Sequence, residues 1–204
     1  MHIQARQFTE FVKSIFPDFF INKKVLDVGS GDINGNNRFL FTECEYDGND
    51  VCEAPNVTIV SRTKNLPFDN SSFDTIISTE CFEHDPDYED SFKKIYNMLK
   101  PDGLFVFTCA STGRPEHGTR RTSSGDSYGT RAQVEDMHDY YKNLTEIDIN
   151  NIIRVNTVFK VFKFYYNSYS KDLYFVGVKH GSSVEYNIPE YITTSIVNTT
   201  SNII

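Results

Sequence analysis

The sequence predicts a single α/β domain built on a doubly wound, mostly parallel sheet of seven strands with one antiparallel strand. Five short runs rich in β-branched and aromatic residues are separated by polar or helical stretches, which is typical of parallel strands joined by crossovers. Two longer runs then flank the turn sequence NSYSK and predict an antiparallel pair. A chain of 204 residues is long enough for one such core.

The elements follow from the spacing of apolar residues. An amphipathic first helix is predicted from apolar residues at helical spacing, and Pro17 marks its end; these residues are Phe8, Phe11, Val12, Ile15 and Phe16. Strands are predicted at residues 25–28, 46–51, 57–60, 73–78, 104–109, 158–166 and 172–178. A helix is predicted at residues 88–99, before Pro101 and Gly103.

Composition limits the classes of partner. The formal net charge of −8 disfavours nucleic acid, because binding to a phosphate backbone relies on clustered Lys and Arg. No apolar run reaches the length of a membrane span, and the four cysteines show no CxxC spacing, so we expect a cytoplasmic protein with reduced thiols. We assign residues 1–181 to the domain and residues 182–204, rich in Thr, Asn and Ser, to a C-terminal tail or edge extension.

The segment VLDVGSGD at residues 25–32 indicates a cofactor pocket. A strand runs into a turn containing Gly29 and Gly31, and the next predicted strand carries an acid, Asp50, near its end. Glycines let backbone N–H groups approach a ligand, and an acid at the tip of the second strand can accept both ribose hydroxyls of an adenosine group. A dinucleotide fingerprint would place its third glycine at position 34, where Asn34 stands, so the pattern disfavours a nicotinamide cofactor.

Four blocks in order carry a family resemblance over residues 25–178. They are VLDVGSGD, GNDV, NLPFDNSSFDTIISTECFEH and IYNMLKPDGLFVFTCAS. With them the chain resembles class I S-adenosylmethionine-dependent methyltransferases of the methyltransferase-11 type. The resemblance implies a Rossmann-like fold and S-adenosyl-L-methionine as the cofactor.

The resemblance also implies roles for particular residues. The methionine-side loop would comprise Asp27, Gly29, Ser30 and Gly31, and the ribose would contact Asp50 and Val51. Thr79 and Glu80 would lie beside the methionine moiety, facing the methyl group. Family members usually carry an acid for the adenine amino group where this chain has Arg62, so we assign the adenine contact to Thr63 and Lys64 instead.

The methyl acceptor is less defined than the cofactor. A sulfonium methyl is already activated, so the enzyme mainly holds the acceptor in line, but an alcohol acceptor also needs a base or a metal. Candidate catalytic residues are His84, His117 and Tyr128, of which the last two lie in a long segment at residues 110–141. Long loops in compact domains are usually functional, and this one carries Arg114, Arg120, Arg121 and Arg131, which suit an anionic group.

The residues Glu80, Glu83 and His84 form an ExxEH motif that suggests a metal site. The motif resembles the Mg²⁺ site of small-RNA 2′-O-methyltransferases and of ubiquinone-pathway O-methyltransferases. In many members of the wider family the EH pair instead orders the loop and caps the next helix. Both interpretations stay open at the level of sequence.

The leading hypothesis is therefore methyl transfer from S-adenosylmethionine to a small-molecule acceptor, with an oxygen of a sugar, nucleotide sugar or glycan precursor as the first candidate. A second hypothesis is a non-catalytic module that binds an adenosine cofactor, motivated by Arg62. A magnesium-dependent 2′-O-methyltransferase-like enzyme and a nicotinamide-dependent oxidoreductase form a third group.

Overall fold

One sheet forms the centre of the molecule. The computed structural model describes residues 1–182, 184–190, 192 and 199–201, and within them the sheet has eight strands. The strands are β1 (Lys24–Val28), β2 (Glu45–Asp50), β3 (Ile59–Val60), β4 (Phe73–Thr79), β5 (Leu99–Ala110), β6 (Phe159–Asn167), β7 (Asp172–Lys179) and β8 (Thr199–Ser201). Their order across the sheet is β3-β2-β1-β4-β5-β7-β6-β8.

The first seven strands confirm the predicted doubly wound sheet. Strands β1 to β5 pair in parallel, and β7 lies antiparallel between β5 and β6, so it is the one reversed strand of the seven. The short strand β8 adds to the outer edge of β6 and belongs to the segment predicted as a tail or edge extension. Residues 183, 191, 193–198 and 202–204 of that segment lie outside the described residues, and the boundary at residue 181 stays a prediction.

Helix α1 (Ile3–Ile15) covers one face of the sheet. Its apolar stripe buries Phe8 and Val12, and the Phe8 ring stacks on Tyr174 of β7 with ring centroids 4.7 Å apart. Burying an aromatic side chain of this size stabilises a fold by roughly 1.5 to 3 kcal/mol. The helix ends one residue before Phe16, and Pro17 begins a short 3-10 turn, as the sequence predicted.

The opposite face carries α2 (Tyr88–Met98), α4 (Glu146–Ile153) and α5 (Val155–Val158), whereas the short α3 (Tyr128–Arg131) lies at the carboxyl ends of the strands. Helix α2 places Phe92 and Ile95 against Phe107 of β5, and the rings of Phe92 and Phe107 meet edge to face at 5.2 Å. Leu99, predicted as the last helical residue, instead opens β5. Within the described residues, every helix is too short or too polar to cross a membrane.

The crossovers on the β1, β2 and β3 side of the sheet are short. Residues 29–44 contain only the 3-10 turn Arg38–Leu40, and residues 61–72 contain only the 3-10 turn Thr63–Asn65. The first of these loops is rich in Gly, Asn and Asp, which favour turns over helices. The carboxyl ends of β1 and β2 are therefore bordered by loops, and the site described next lies there.

Candidate active site

The candidate site is a cleft at the carboxyl ends of β1, β2 and β4. The strand order reverses between β1 and β4, which is where doubly wound sheets bind ligands. All of the predicted site residues except Lys64 and Glu83 line this cleft. Their individual roles stay predictions, but their positions can be compared with what the sequence suggested.

The turn after β1 needs its glycines. Gly29 has a φ of +71°, and a β-carbon there would overlap the side chain of Cys81. At Gly31 a β-carbon would overlap the Tyr128 ring and approach Asp50 Oδ2 to 2.7 Å. Both positions therefore accept only glycine. Without side chains, the backbone N–H groups of this turn can contact a ligand directly.

Asp50 lies beside this turn. Its Oδ2 accepts the backbone N–H of Gly31 at 3.0 Å, and its Oδ1 accepts that of Val51 at 2.7 Å. Burial raises the pKa of Asp50 although both N–H groups act in the opposite direction. The predicted ribose-binding acid is thus held in place by the glycine turn itself.

Asp27 forms the floor of the cleft. It is buried, its Oδ1 accepts Asn37 Nδ2 at 3.0 Å, and its Oδ2 accepts the hydroxyl of Tyr46. Burial raises the pKa of Asp27 to about 6, while the bonds from Tyr46 and Asn37 oppose the shift.

Asn37 is a site residue that sequence reasoning missed. Its Nδ2 lies 3.0 Å from Asp27 Oδ1 and 3.1 Å from Thr79 Oγ1, so it joins the tips of β1 and β4. Its Oδ1 is buried and has no hydrogen-bond partner among the described residues. The run GNN at residues 35–37 signals a turn, and nothing in it distinguishes this asparagine from its neighbours.

The adenine end of the cleft contains Arg62 and Thr63. Thr63 Oγ1 donates to Asn49 Oδ1 at 3.1 Å, which fixes the turn after β3. Arg62 Nη1 donates to Asp87 and to Asp136, each at 2.8 Å. Lys64, predicted at the adenine, instead points its Nζ to Asp87 Oδ1 at 2.7 Å and does not line the cleft.

The predicted catalytic residues separate into two places. His84 and His117 lie together, with ring centroids 5.0 Å apart. Tyr128 lies instead over the glycine turn, where its hydroxyl donates to the Asp32 carbonyl at 3.1 Å. The structure thus places the two histidines together beside the tip of β4 and places Tyr128 beside the turn after β1.

Glu83 and His84 are buried beside the acceptor end. Glu83 is fully buried, and neither of its carboxylate oxygens has a hydrogen-bond partner among the described residues. The Nε2 atom of His117 lies 3.9 Å from Glu83 Oε1. Burial raises the pKa of Glu83 well above its ordinary value, with a further contribution from the charge of Glu80, and burial next to His117 lowers the pKa of His84 to about 3.

Glu80 belongs to a different cluster. It follows β4 with a φ of +54°, its Oε1 accepts Thr108 Oγ1 at 2.7 Å, and its Oε2 lies 3.1 Å from His2 Nε2. The same His2 nitrogen lies 2.9 Å from Asp172 Oδ2. Burial opposes the charge on His2, but the two carboxylates prevail and raise its pKa to about 10, while His2 lowers the pKa of Glu80. Neither His2 nor Asp172 carried a sequence signal for the site.

The ExxEH motif therefore does not form the magnesium site that the resemblance implied. Its first glutamate, Glu80, is engaged by His2 and Thr108, while Glu83 and His84 group with His117. The latter set offers two imidazoles and one carboxylate, whereas Mg²⁺ requires oxygen ligands in near-octahedral geometry. These residues do not fit a magnesium ion.

Three of the four arginines in the segment at residues 110–141 lie away from the cleft. Arg120 and Arg121 bond to Asp139, and Arg131 donates to the Gly125 carbonyl at 2.7 Å. Arg114 lines the cleft, where its Nη1 lies 3.2 Å from Asp172 Oδ1. Of the four arginines that the sequence suggested for binding an anionic group, only Arg114 lines the cleft, and it already pairs with Asp172.

Part of the chain matches a known family model and a curated relative. Residues 26–107 match a family model described as a methyltransferase domain. Phosphoethanolamine N-methyltransferase 2 of Caenorhabditis elegans is 36% identical over 85 residues, which cover 41% of this chain and 17% of that protein. The chain therefore corresponds to a small part of this curated relative.

Solved structures show the same fold. Phosphoethanolamine N-methyltransferase 2 of Haemonchus contortus, in complex with S-adenosyl-L-methionine, aligns over 86% of this chain and 53% of that chain, with a TM-score of 0.58 and 18% identity. A 1,6-didemethyltoxoflavin-N1-methyltransferase of Burkholderia thailandensis aligns over 87% of this chain and 91% of that chain, with a TM-score of 0.54 and 14% identity. The match over residues 26–107 and the shared fold confirm the resemblance to class I S-adenosylmethionine-dependent methyltransferases of the methyltransferase-11 type that the four sequence blocks predicted.

Proposed function

We propose that this chain transfers the methyl group of S-adenosyl-L-methionine to an oxygen of a small acceptor, with a sugar, a nucleotide sugar or another glycan precursor as the first candidates. One observation carries the choice of oxygen. His84 and His117 lie together at the acceptor end of the cleft, beside the tip of β4. An alcohol needs such a group to take its proton, whereas an amine near its pKa does not.

The reaction requires little covalent help from the protein. The acceptor oxygen forms a bond to the methyl carbon, the S–C bond breaks, and its electron pair stays on sulfur. The acceptor proton passes to an imidazole nitrogen of the histidine pair. His117 is the candidate for this step, because Nδ1 lies 3.2 Å from the Pro115 carbonyl. Donation of Nδ1–H there leaves Nε2, which lies 3.9 Å from Glu83 Oε1, as the basic nitrogen.

The cofactor residues support the same function. Asp27, Asp50 and the glycine turn occupy one end of the cleft, and the histidine pair occupies the other. Arg62, the residue that departs from the family pattern, has its guanidinium tied to Asp87 and Asp136. These bonds hold Arg62 in ion pairs, which favours a working adenine turn over a disabled one.

The second candidate is a nitrogen acceptor. The local sequence match to a phosphoethanolamine N-methyltransferase favours it. The free cysteines among the described residues suit a reducing compartment, and we place the enzyme in the cytoplasm.

The first experiment is calorimetric titration with S-adenosylhomocysteine, with NAD as the parallel control. We expect saturable binding of the former alone. Binding of NAD alone would contradict the proposal, and binding of neither would favour a non-catalytic module.

The second experiment separates the two acceptor classes. Methyl release is measured with sugar nucleotides, sugars and small amines, using the unmodified chain and His117→Ala. A proton-accepting role predicts a rate loss of about 10²- to 10⁴-fold for an alcohol acceptor. A rate on amines that is unaffected by His117→Ala would instead support the nitrogen acceptor.

A further inference from the structure

The side chains of Glu83, His84 and His117 form a cluster with unmet bonding capacity. Neither oxygen of the fully buried Glu83 carboxyl group has a hydrogen-bond partner among the described residues, and a buried polar group without a partner destabilises the fold. His84 is 6% exposed, and its Nδ1 also lacks a partner among the described residues. Three polar atoms without hydrogen bonds therefore lie close together: Glu83 Oε1, Glu83 Oε2 and His84 Nδ1. A metal ion can bind such atoms because it accepts their lone pairs.

From this cluster we infer a binding site for a divalent transition-metal ion, with Zn²⁺ as the ion it fits. Each of the three residues offers one ligand atom, and these atoms all lie within 4.8 Å of one another. Ligand atoms around a tetrahedral Zn²⁺ are roughly 3.4 Å apart, so small side-chain rotations bring the set onto an ion. Two imidazoles and one carboxylate are a zinc-type donor set, and a divalent ion would compensate a carboxylate in this buried position.

The surroundings hold these side chains as metal ligands are held. His117 Nδ1 lies 3.2 Å from the Pro115 carbonyl, which orients Nε2 toward Glu83. The Tyr141 ring packs on both imidazoles, at 5.6 Å from His84 and 5.0 Å from His117, and its hydroxyl donates to the same Pro115 carbonyl at 3.1 Å. Gly118 leaves the space that His84 occupies, since a β-carbon there would overlap the imidazole.

The site also has an entry path and a free side. His84 and His117 line the cleft, whereas Glu83 lies behind them. An ion held by these three ligands would keep a fourth position for a water molecule or a substrate oxygen. A bound Zn²⁺ acts as a Lewis acid on an oxygen in that position, so it would take over the activation of an alcohol that an imidazole performs in the ion-free chain.

The test measures metal binding without turnover. The chain is stripped with a chelator, and Zn²⁺ and Mg²⁺ are titrated separately in competition with a chromophoric chelator. We expect one equivalent of Zn²⁺ at this site and no competition from Mg²⁺. Co²⁺ serves as a spectroscopic probe, with the visible absorption of a low-coordinate nitrogen and oxygen site as the expected result.

Variants locate the site. His117→Ala is expected to weaken Zn²⁺ binding by roughly a hundredfold, since even loss of an outer-shell contact costs 10- to 100-fold. Glu83→Gln, which keeps the shape of the side chain, should act in the same direction. The matched controls are His138→Ala, in the same segment but outside the cluster, and His2→Ala, in the neighbouring cluster with Glu80 and Asp172. Both should retain the Zn²⁺ equivalent.

Three results would overturn the inference: absence of a Zn²⁺ equivalent in the stripped chain, equal binding by the unmodified chain and His117→Ala, or loss of the equivalent only in His2→Ala. The inference builds on the acceptor site proposed above, but its outcome is separable. Zn²⁺ binding without methyl transfer would support the metal site and contradict the proposed function. Methyl transfer without Zn²⁺ binding would support the proposed function and contradict the metal site.

Discussion

Asp50 is positioned by the backbone around it. Its two carboxylate oxygens accept N–H groups from Gly31 and Val51, and each oxygen keeps a second lone-pair site for a ribose hydroxyl. We expect Asp50→Ala to weaken binding of S-adenosylhomocysteine by about 2 to 4 kcal/mol, through the loss of two charge-assisted hydrogen bonds. Calorimetry measures the change, and Asp47→Ala on the same strand is the control. Unchanged affinity would remove the ribose assignment.

Asn37 makes a second residue-scale prediction. Its amide joins Asp27 to Thr79, and its unbonded carbonyl is available to the amino group of the methionine moiety. We expect Asn37→Ala to weaken cofactor binding by about 1 to 3 kcal/mol, the cost of leaving buried polar groups unpaired. The control is Asn97→Ala on the exposed side of α2, which should bind normally. An equal effect of the two substitutions would contradict the assignment.

The buried carboxyl of Asp27 predicts a pH dependence. Its pKa in the folded chain is about 6, above the ordinary value of 3.8, so it becomes protonated as pH falls through 6. The ionised form is the one that attracts the cofactor ammonium, and Asp50, whose pKa is also raised, titrates in the same sense. Affinity for S-adenosylhomocysteine should therefore decline below about pH 6, and calorimetry at several pH values checks this. Asp27→Asn should bind more weakly and lose most of the decline.

The same shift has a defined sign for stability. Between pH 3.8 and about pH 6, Asp27 is mostly protonated in the folded chain and mostly ionised in the unfolded chain. The contribution of this group to the free energy of unfolding is therefore largest at low pH and is lost as pH rises through about 6. Asp27→Asn removes this pH-dependent loss, so its stability relative to the unmodified chain should rise over that range.

At the scale of elements, two side-chain contacts link the segment at residues 110–141 to the loops after β1 and β3. Tyr128 bonds to the Asp32 carbonyl, and Arg62 bonds to Asp136 while also pairing with Asp87. The Asp136 side chain is 55% exposed, so the contribution of this pair is at most about 1 kcal/mol. The adenine turn and the acceptor-side segment are thus joined by a weak, breakable contact.

This contact predicts a local opening. Arg62→Ala should raise the hydrogen-exchange rates of amides in α3 and at residues 132–139 by up to about fivefold, which corresponds to 1 kcal/mol. Lys93→Ala, which breaks the exposed pair with Asp90, is the control and should leave these amides unchanged. If exchange is the same in both variants, the segment is held by other contacts.

The sequence predicted some elements better than others for physical reasons. Buried strands and α2 carry local periodicity, so their positions were predicted to within a few residues. The glycine turn and Asp50 were predicted because close backbone approach limits the choice of residue. In contrast, His2, Glu80 and Asp172 meet only through long-range folding, and no spacing along the chain signals that contact. Because Glu80 contacts His2 and Asp172, it is separated from Glu83 and His84, which group with His117.

At the scale of the whole molecule, the fold explains where a cofactor can bind, but the identity of the methyl acceptor depends on a few side chains. A fold of this kind hosts many chemistries, so the acceptor has to be argued from the histidine cluster and not from the topology. The net charge of −8 disfavours a nucleic-acid partner, because a phosphate backbone would be repelled.

Cofactor binding should stabilise the whole chain measurably. At a concentration one hundred times its Kd, S-adenosylhomocysteine should add about 2.7 kcal/mol to the free energy of unfolding. Thermal denaturation with and without the ligand measures this, and methionine alone is the control. An unchanged Tm at saturating ligand would mean that the cofactor does not select the folded state.

The short crossovers between β1, β2, β3 and β4 have a consequence for the lifetime of the protein in a cell. This half of the sheet lacks helices between its strands, so its loops are the segments a protease reaches first. Bound cofactor would cover those loops and suppress the opened form on which proteases act. We therefore expect the abundance of the protein to follow the supply of S-adenosylmethionine, with the unliganded chain removed first when that supply falls.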